Sequence, residues 1–216
     1  MTDPFDIAFK DLPAEIPLFP LPRVILLPRV HLPLNIFEPR YLAMTATAMK
    51  NGRVIGMVQP RGQDGEVYAT GCAGRNTAFR ETEDGRYMIT LKGLCRFDIR
   101  KELPQDAAGF RIAAADWSPY ESDTAEDTSH DICRDTIMKT LLRYFDKMKM
   151  FCDKWEDMHH IPCEKLISTL SVVCPLGTAD KQTLLEAKTL RDRAVVLQAL
   201  LENAVQNCDN GNHSCH

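Results

Sequence analysis

The chain is poor in the signatures that announce chemistry. Its 216 residues contain no GxxxxGK[ST] phosphate loop, so nucleotide binding of that class has no basis. No serine sits in a GxSxG elbow, the strained strand-to-helix turn that exposes a nucleophile. The eight cysteines (Cys72, Cys95, Cys133, Cys152, Cys163, Cys174, Cys208 and Cys215) form no CxxC pair, and thiols rather than a disulfide framework are expected. The longest uninterrupted aliphatic run, Val24 to Leu27, falls far short of the roughly 20 apolar residues of a membrane span. The amino-terminal MTDPFDIAFKDLPAE is acidic and lacks an apolar run, which excludes a signal peptide there and makes a cytoplasmic protein the expectation. Positive charge is also scarce. Up to Tyr120 there are 15 Lys+Arg against 14 Asp+Glu; beyond it, 11 against 16, for a net charge of −4 overall. A basic footprint for duplex nucleic acid or anionic lipid is missing, so neither nucleic acid nor membrane is an expected partner.

What the chain does have is a strongly apolar, proline-punctuated segment from Ile16 to Met44, IPLFPLPRVILLPRVHLPLNIFEPRYLAM. Proline fixes φ, removes a backbone donor and pushes the preceding residue towards extended conformations. The segment therefore reads as short extended pieces locked at corners, followed by a helix that starts at Pro39 and runs to Lys50. Tyr41, Leu42, Thr45 and Met49 are near helical spacing, and Asn51-Gly52 is a fitting stop. Strand-like runs occupy Val24 to Leu27, Arg53 to Gln59, Val67 to Thr82, Gly93 to Leu103 and Phe110 to Trp117. Asp84-Gly85 predicts a tight hairpin turn before RYMITLKG. Such a series suggests a small barrel or sandwich over residues 14–120, after a flexible amino terminus over 1–13. The acidic stretch 121–129 reads as a linker. From Asp131 the period becomes helical, and four helices over 130–206 are expected to form a bundle. Ile137, Leu141, Tyr144, Phe145 and Met148 line the first; Leu166, Ile167, Leu170 and Val173 face inward on the second. Thr178 is placed to cap the third, Thr189 with Asp192 resembles a capping box for the fourth, and residues 207–216 are expected to be disordered.

Each chemical temptation has a plainer account. His159-His160 with Cys163 leaves a zinc shell incomplete, and a helix-connecting loop is preferred. Cys208, His213, Cys215 and His216 are four soft ligands near a terminus, where fraying is preferred over chelation. GCAGR, Gly71 to Arg75, lacks the spacing and following helix of a phosphate loop, so it reads as a bent strand. Neither a metal nor a cofactor is expected. Glu38, Arg40 and Tyr41 form a polar cluster inside the apolar segment, with Glu38 placed to serve helix amides and Arg40 to pair with a carboxylate. The apolar inventory from Leu18 to Phe37 exceeds what one edge of a small barrel requires, and any surface remainder would suit another polypeptide.

Taken in order, IPLFPLPRVILLP, LPLNIFEPRYL, RVIGMVQP, YATGCAGR, DGRYMITLKGLCRF and PLGTADKQTLLEA closely resemble the amino-terminal, substrate-binding domain of the ATP-dependent Lon protease family, in the stand-alone bacterial form without ATPase and protease domains. The resemblance spans Pro13 to Glu202. It implies an α+β fold, a PUA-like pseudobarrel of about six strands with one inserted helix, followed by a helical bundle. It also implies a non-catalytic module that binds unfolded or extended polypeptide and serves a protease or chaperone; no catalytic residue carries over. Leu34, Ile36, Phe37, Arg40 and Tyr41 are the expected polypeptide-binding residues. Arg29-Val30-His31 stands where many relatives place a glycine-containing turn. PUA-like barrels often bind RNA, and Arg75, Arg80, Arg86, Arg96 and Arg100 would have to converge on one face for that alternative.

Overall fold

A computed structural model describes residues 5–125, 134–149 and 155–209. The described residues divide into two compact units: one holds residues 5–125 with Pro175–Leu185, the other the remainder.

The first unit is a barrel built on β1 (Glu15–Pro20), β2 (His31–Ile36), β3 (Val54–Val58), the two-residue strands β4 (Pro60–Arg61) and β5 (Glu66–Val67), β6 (Thr70–Glu81), β7 (Tyr87–Leu103) and β8 (Arg111–Asp116). The main sheet runs β2-β7-β6-β3-β1-β8, and β4 and β5 form a separate ribbon. β7, 17 residues long, pairs with β2 and β6 through its first part and with β8 through its end, which closes the barrel. Among the described strands only β1 and β3 run parallel. The interior is filled by Ile16, Leu18, Val54, Val58, Leu94 and Phe97. A Cβ at Gly56 or Gly71 would meet the Phe97 ring at 2.9 or 2.7 Å, so these two glycines make room for it.

Helix α1 (Pro39–Lys50) has the expected bounds, with Pro39 in its first turn. Its buried face is Tyr41, Met44, Thr45 and Ala48, a stripe at i, i+3, i+4 and i+7, with Leu42 and Met49 at its margin. Val24–Leu27, expected as a strand, belongs to none. Turns flank it, with Arg23 and Arg29 at φ 62° and 64°, and Ile25, Leu26 and Leu27 are buried as a plug instead. The strands lie on either side of it, in segments that accommodate Pro17, Pro20 and Pro33. The plug is pinned to β7 by the Arg29 amide on the Gly93 carbonyl and the Gly93 amide on the Val30 carbonyl, both 2.8 Å. The loop between β6 and β7 is wider than a two-residue turn. Gly85, at φ 79°, donates to Thr82, which also pairs through its backbone with Arg86; of the central pair only the glycine is left-handed.

Two further expectations change. Residues 5–12 are not loose: Phe9–Asp11 is a short 3-10 helix, and Ile7, Phe9 and Leu12 pack on the barrel core. Ser118–Thr124, read as linker, is another 3-10 helix. Its Asp123 is buried and receives Arg96 Nε and NH2, both at 2.8 Å, with the Arg96 amide at 3.0 Å. The Arg96 guanidinium also lies 4.7 Å from the Tyr120 ring and donates to the Leu185 carbonyl at 3.1 Å. A short polar stretch with no apolar period gave no sign of this ion pair. Residues 126–129 lie outside the described set.

Helix α5 (Thr178–Glu186), expected in the bundle, falls almost wholly in the barrel unit. Gln59 donates to the Thr178 carbonyl and to Gln182 Oε1 at 2.9 and 3.0 Å, and Gln182 donates to the Thr70 carbonyl at 3.1 Å. Buried amides must find partners, and these three bonds fix the helix on the barrel.

The second unit contains α2 (Arg134–Lys147), the short α3 (Trp155–Met158), α4 (Cys163–Val173) and α6 (Leu190–Asp209). Ile137, Leu141 and Tyr144 are buried as expected; Phe145 is half-buried, and Val173 at the end of α4 is exposed rather than inward. The capping box before α6 is present. The Asp192 amide donates to Thr189 Oγ1 at 3.0 Å, and the Thr189 amide and hydroxyl both donate to the Asp192 carboxylate.

Candidate functional site

The sequence-predicted residues separate along the alternation of β2. Leu34 and Ile36, 9% and 2% exposed, point into the core, because Leu34 pairs with Ile89 and Ile36 with Tyr87 on the inward face of β7. They are withdrawn from any surface. Phe37, one residue beyond the strand, is 64% exposed. Arg40 lies on the surface, donating through Nε and NH2 to Glu38 at 3.1 and 2.9 Å and stacking 4.5 Å from the Tyr41 ring. Glu38 is therefore turned to Arg40 and does not cap the helix amides with its side chain.

Arg40 and Tyr41 line a cleft of about 370 Å³ on the barrel unit. Its floor and walls include Pro20, Pro60, Val67 and Phe110, and Arg111 of β8 stands in it as a second cation. Arg111 grips Glu102 through Nε and NH2 at 2.8 and 2.5 Å and ties down the β4–β5 loop by donating to the Gly65 carbonyl at 2.5 Å. Neither Glu38 nor Glu102 lines the cleft. Tyr41 is only 7% exposed, and its ring packs on Phe19 at 4.5 Å. Burial pushes this phenol above its ordinary value; the Arg40 and Arg111 cations oppose that rise and the Glu38 carboxylate adds to it. A smaller hollow of about 170 Å³ shares Phe110 with the cleft. It carries Glu15 and Asp106 and no lysine or arginine, so charge reverses across that ring.

Arg111 and Phe110 were missed from sequence. Nothing local marks them, because they reach the cleft only through the pairing of β8 with β1 and β7. The arginine set considered for RNA does not assemble as a free basic face. Arg96 is buried on Asp123, and Arg86 and Arg100 lie 2.7 and 3.8 Å from Asp84 and Asp116. Among the described residues no group of three or more His, Cys, Asp or Glu is placed to hold a metal ion, and Cys72, Cys95, Cys163 and Cys174 are thiols. The histidines and Cys215 of the tail lie outside the described residues, as does the side chain of Cys208. Among the described residues no helix is long and apolar enough to cross a membrane.

A six-stranded barrel closed by its longest strand, with one inserted helix and a carboxy-terminal helical region, is an α+β fold of PUA-like type. Residues 15–203 match the family described as the ATP-dependent protease La (LON) substrate-binding domain, and the chain belongs to that family. It is 24% identical over 200 residues to the Lon protease of Buchnera aphidicola, covering 88% of this chain and 25% of that one. A Lon protease of Anaeromyxobacter dehalogenans is 28% identical over 113 residues, 50% of this chain and 13% of its own. The chain thus spans about a quarter or less of these relatives. Among solved structures, a Lon N-terminal domain protein from Xanthomonas campestris has 24% identity and a TM-score of 0.59, covering 86% of this chain and 97% of its own. The N-terminal domain of a Mycobacterium avium complex Lon protease has 17% identity and a TM-score of 0.64, covering 88% and 98%. The matched part of Lon is its substrate-binding domain, not its ATPase or protease domain.

Proposed function

We propose that the protein is a non-catalytic module that binds unfolded or extended polypeptide through its barrel unit and acts as an adaptor or modulator for a protease or chaperone. The observation that carries this reading is the match of residues 15–203 to a substrate-binding family. The site geometry supports it. Phe37 exposes a large aromatic ring two residues before Pro39, the first residue of α1, and the next turn opens onto a cleft with an apolar floor and cationic sides. Unfolded chains offer apolar side chains and unpaired main-chain groups, and a surface of this size gives reversible binding. A micromolar Kd, about −8 kcal/mol, is the expected strength.

The test is fluorescence anisotropy of a labelled, permanently unfolded polypeptide titrated with the protein, with single-stranded RNA as a parallel probe. Saturable polypeptide binding without RNA binding supports the reading. RNA binding that weakens steeply with salt, with no polypeptide signal, overturns it. Binding of neither overturns it as well.

A further inference from the structure

We propose that the cleft between α1, the β4–β5 ribbon and β8 takes the carboxy-terminal residue of a polypeptide, with its α-carboxylate held by Arg40, Arg111 and the Tyr41 hydroxyl. The proposal rests on the polypeptide-binding reading and assigns a chemical class to one end of the bound chain.

Three donors with capacity to spare meet in the cleft. A guanidinium has five N–H groups in a fixed fork. Glu38 takes the Arg40 Nε and one NH2 hydrogen, and Glu102 with the Gly65 carbonyl takes three from Arg111. Each arginine keeps uncommitted hydrogens while its counter-carboxylate stays out of the lining. The third donor is the phenol of Tyr41, a nearly buried side chain that lines the cleft. A hydroxyl that donates to a carboxylate makes a charge-assisted bond, stronger than a neutral one. The Arg40 guanidinium lies 4.5 Å from the Tyr41 ring, and Arg111 lines the same cleft.

The rest of the lining favours a chain end over a continuous strand. A running segment carries peptide groups in and out and needs main-chain partners on both sides. Pro20 and Pro60 have no N–H to offer, and the Gly109 amide is already spent on the Asp106 carbonyl at 2.8 Å. A terminal residue brings one carboxylate and one side chain. Pro20, Val67 and Phe110 supply an apolar surface for that side chain, which selects leucine- or phenylalanine-like ends. At about 370 Å³ the cleft is at the small end of ligand sites.

The experiment compares three versions of one ten-residue peptide ending in leucine: the free acid, the carboxy-terminal amide, and an amide whose last residue is aspartate. Binding is read by anisotropy on the whole protein and on the Tyr41→Phe and Arg40→Gln variants. The free acid is expected to bind about ten-fold more tightly than the leucine amide, the range of hydrogen bonds to a charged group. Each variant should lose most of that preference, read as the ratio of free-acid to leucine-amide affinity within the same variant. Tyr41→Phe keeps the ring packed on Phe19, so its loss cannot be attributed to unfolding. Equal binding of acid and leucine amide overturns the proposal while leaving the polypeptide-binding reading intact. Aspartate amide binding as tightly as the free acid overturns the chain-end assignment. Failure of all three peptides together with the unfolded polypeptide overturns the underlying reading.

Discussion

The two units are stabilised in different ways. The helical unit depends on faces set by local period: buried Ile137, Leu141 and Tyr144 on α2, Leu166, Ile167 and Leu170 on α4, and Leu197, Leu201 and Val205 on α6. The barrel unit adds to its apolar core particular polar pairs between residues distant in sequence. Arg96 reaches Asp123 across 27 positions and Leu185 across 89; Gln59 reaches Gln182 across 123. Apolar faces tolerate exchange of one hydrocarbon for another, whereas buried polar pairs do not tolerate losing one partner. The two tryptophans allow each unit to be followed separately. Trp117 packs 5.5 Å from Phe97 in the barrel, and Trp155 lies 6.1 Å from Phe145 in the helical unit. Trp155→Phe leaves a reporter of the barrel, and Trp117→Phe a reporter of the helices.

The largest effect is expected from Arg96→Met. Burial disfavours the charge of Arg96, but the hydrogen-bonded Asp123 carboxylate overrides that and raises its pKa. Removing the cation leaves Asp123 buried and unpaired and frees the Leu185 carbonyl, which should cost about 3–5 kcal/mol in urea unfolding followed by Trp117. A loss under 1 kcal/mol would mean that the pair is not what fastens Ser118–Thr124 to β7. Leu201→Ala is the counterpart in the helical unit. This fully buried leucine should cost about 2–5 kcal/mol in the Trp155 signal. Equal shifts of both reporters in either variant would erase the comparison, because the units would then unfold as one.

Next comes Gly93→Ala. A Cβ there would stand 2.0 Å from the Leu27 carbonyl oxygen, so the buried plug must lift from β7. Overpacking of this kind costs about 1–3 kcal/mol, and the loss belongs in the Trp117 signal alone. Alkaline pH gives a gentler test. Burial, with a smaller contribution from Asp123, pushes the Cys95 thiol up to about 12 from an ordinary 9.0. The unfolded chain therefore releases this proton at a pH where the folded barrel keeps it, and stability falls as pH rises from about 9 towards 12. Cys95→Ala should flatten that slope in urea midpoints measured at pH 8.5, 9.5 and 10.5; an unchanged slope would assign it to other groups.

The same contrast decides what was legible in the sequence. Helix α1 could be bounded to the residue because Pro39 and Asn51-Gly52 act locally, and the Thr189–Asp192 box could be found because its partners are three positions apart. The strands around Val24–Leu27 were misplaced because an aliphatic run looks alike as a strand and as a plug. Helix α5 was assigned to the wrong unit, since the amides that dock it answer residues more than a hundred positions earlier. At the site, Arg40 and Tyr41 could be singled out as polar residues within an apolar segment. Arg111 could not, because only the barrel pairing brings it to them.

The smallest effect on stability, and the most telling for function, is expected at Phe37. Its ring is 64% exposed and lies outside the buried core, so Phe37→Ala should change the unfolding midpoint of either reporter by less than about 0.5 kcal/mol. Leu34→Ala, three residues earlier and buried, should instead cost about 2–5 kcal/mol in the Trp117 signal. If Phe37 contacts bound polypeptide, its removal weakens anisotropy-measured affinity about five- to thirty-fold, the range for losing one aromatic anchor. The two substitutions, three positions apart, then give opposite results: one lowers stability and the other affinity. Unchanged affinity in Phe37→Ala would move the apolar contact elsewhere on the barrel, with the exposed Phe79 and Met88 of the β6–β7 hairpin the next positions to replace.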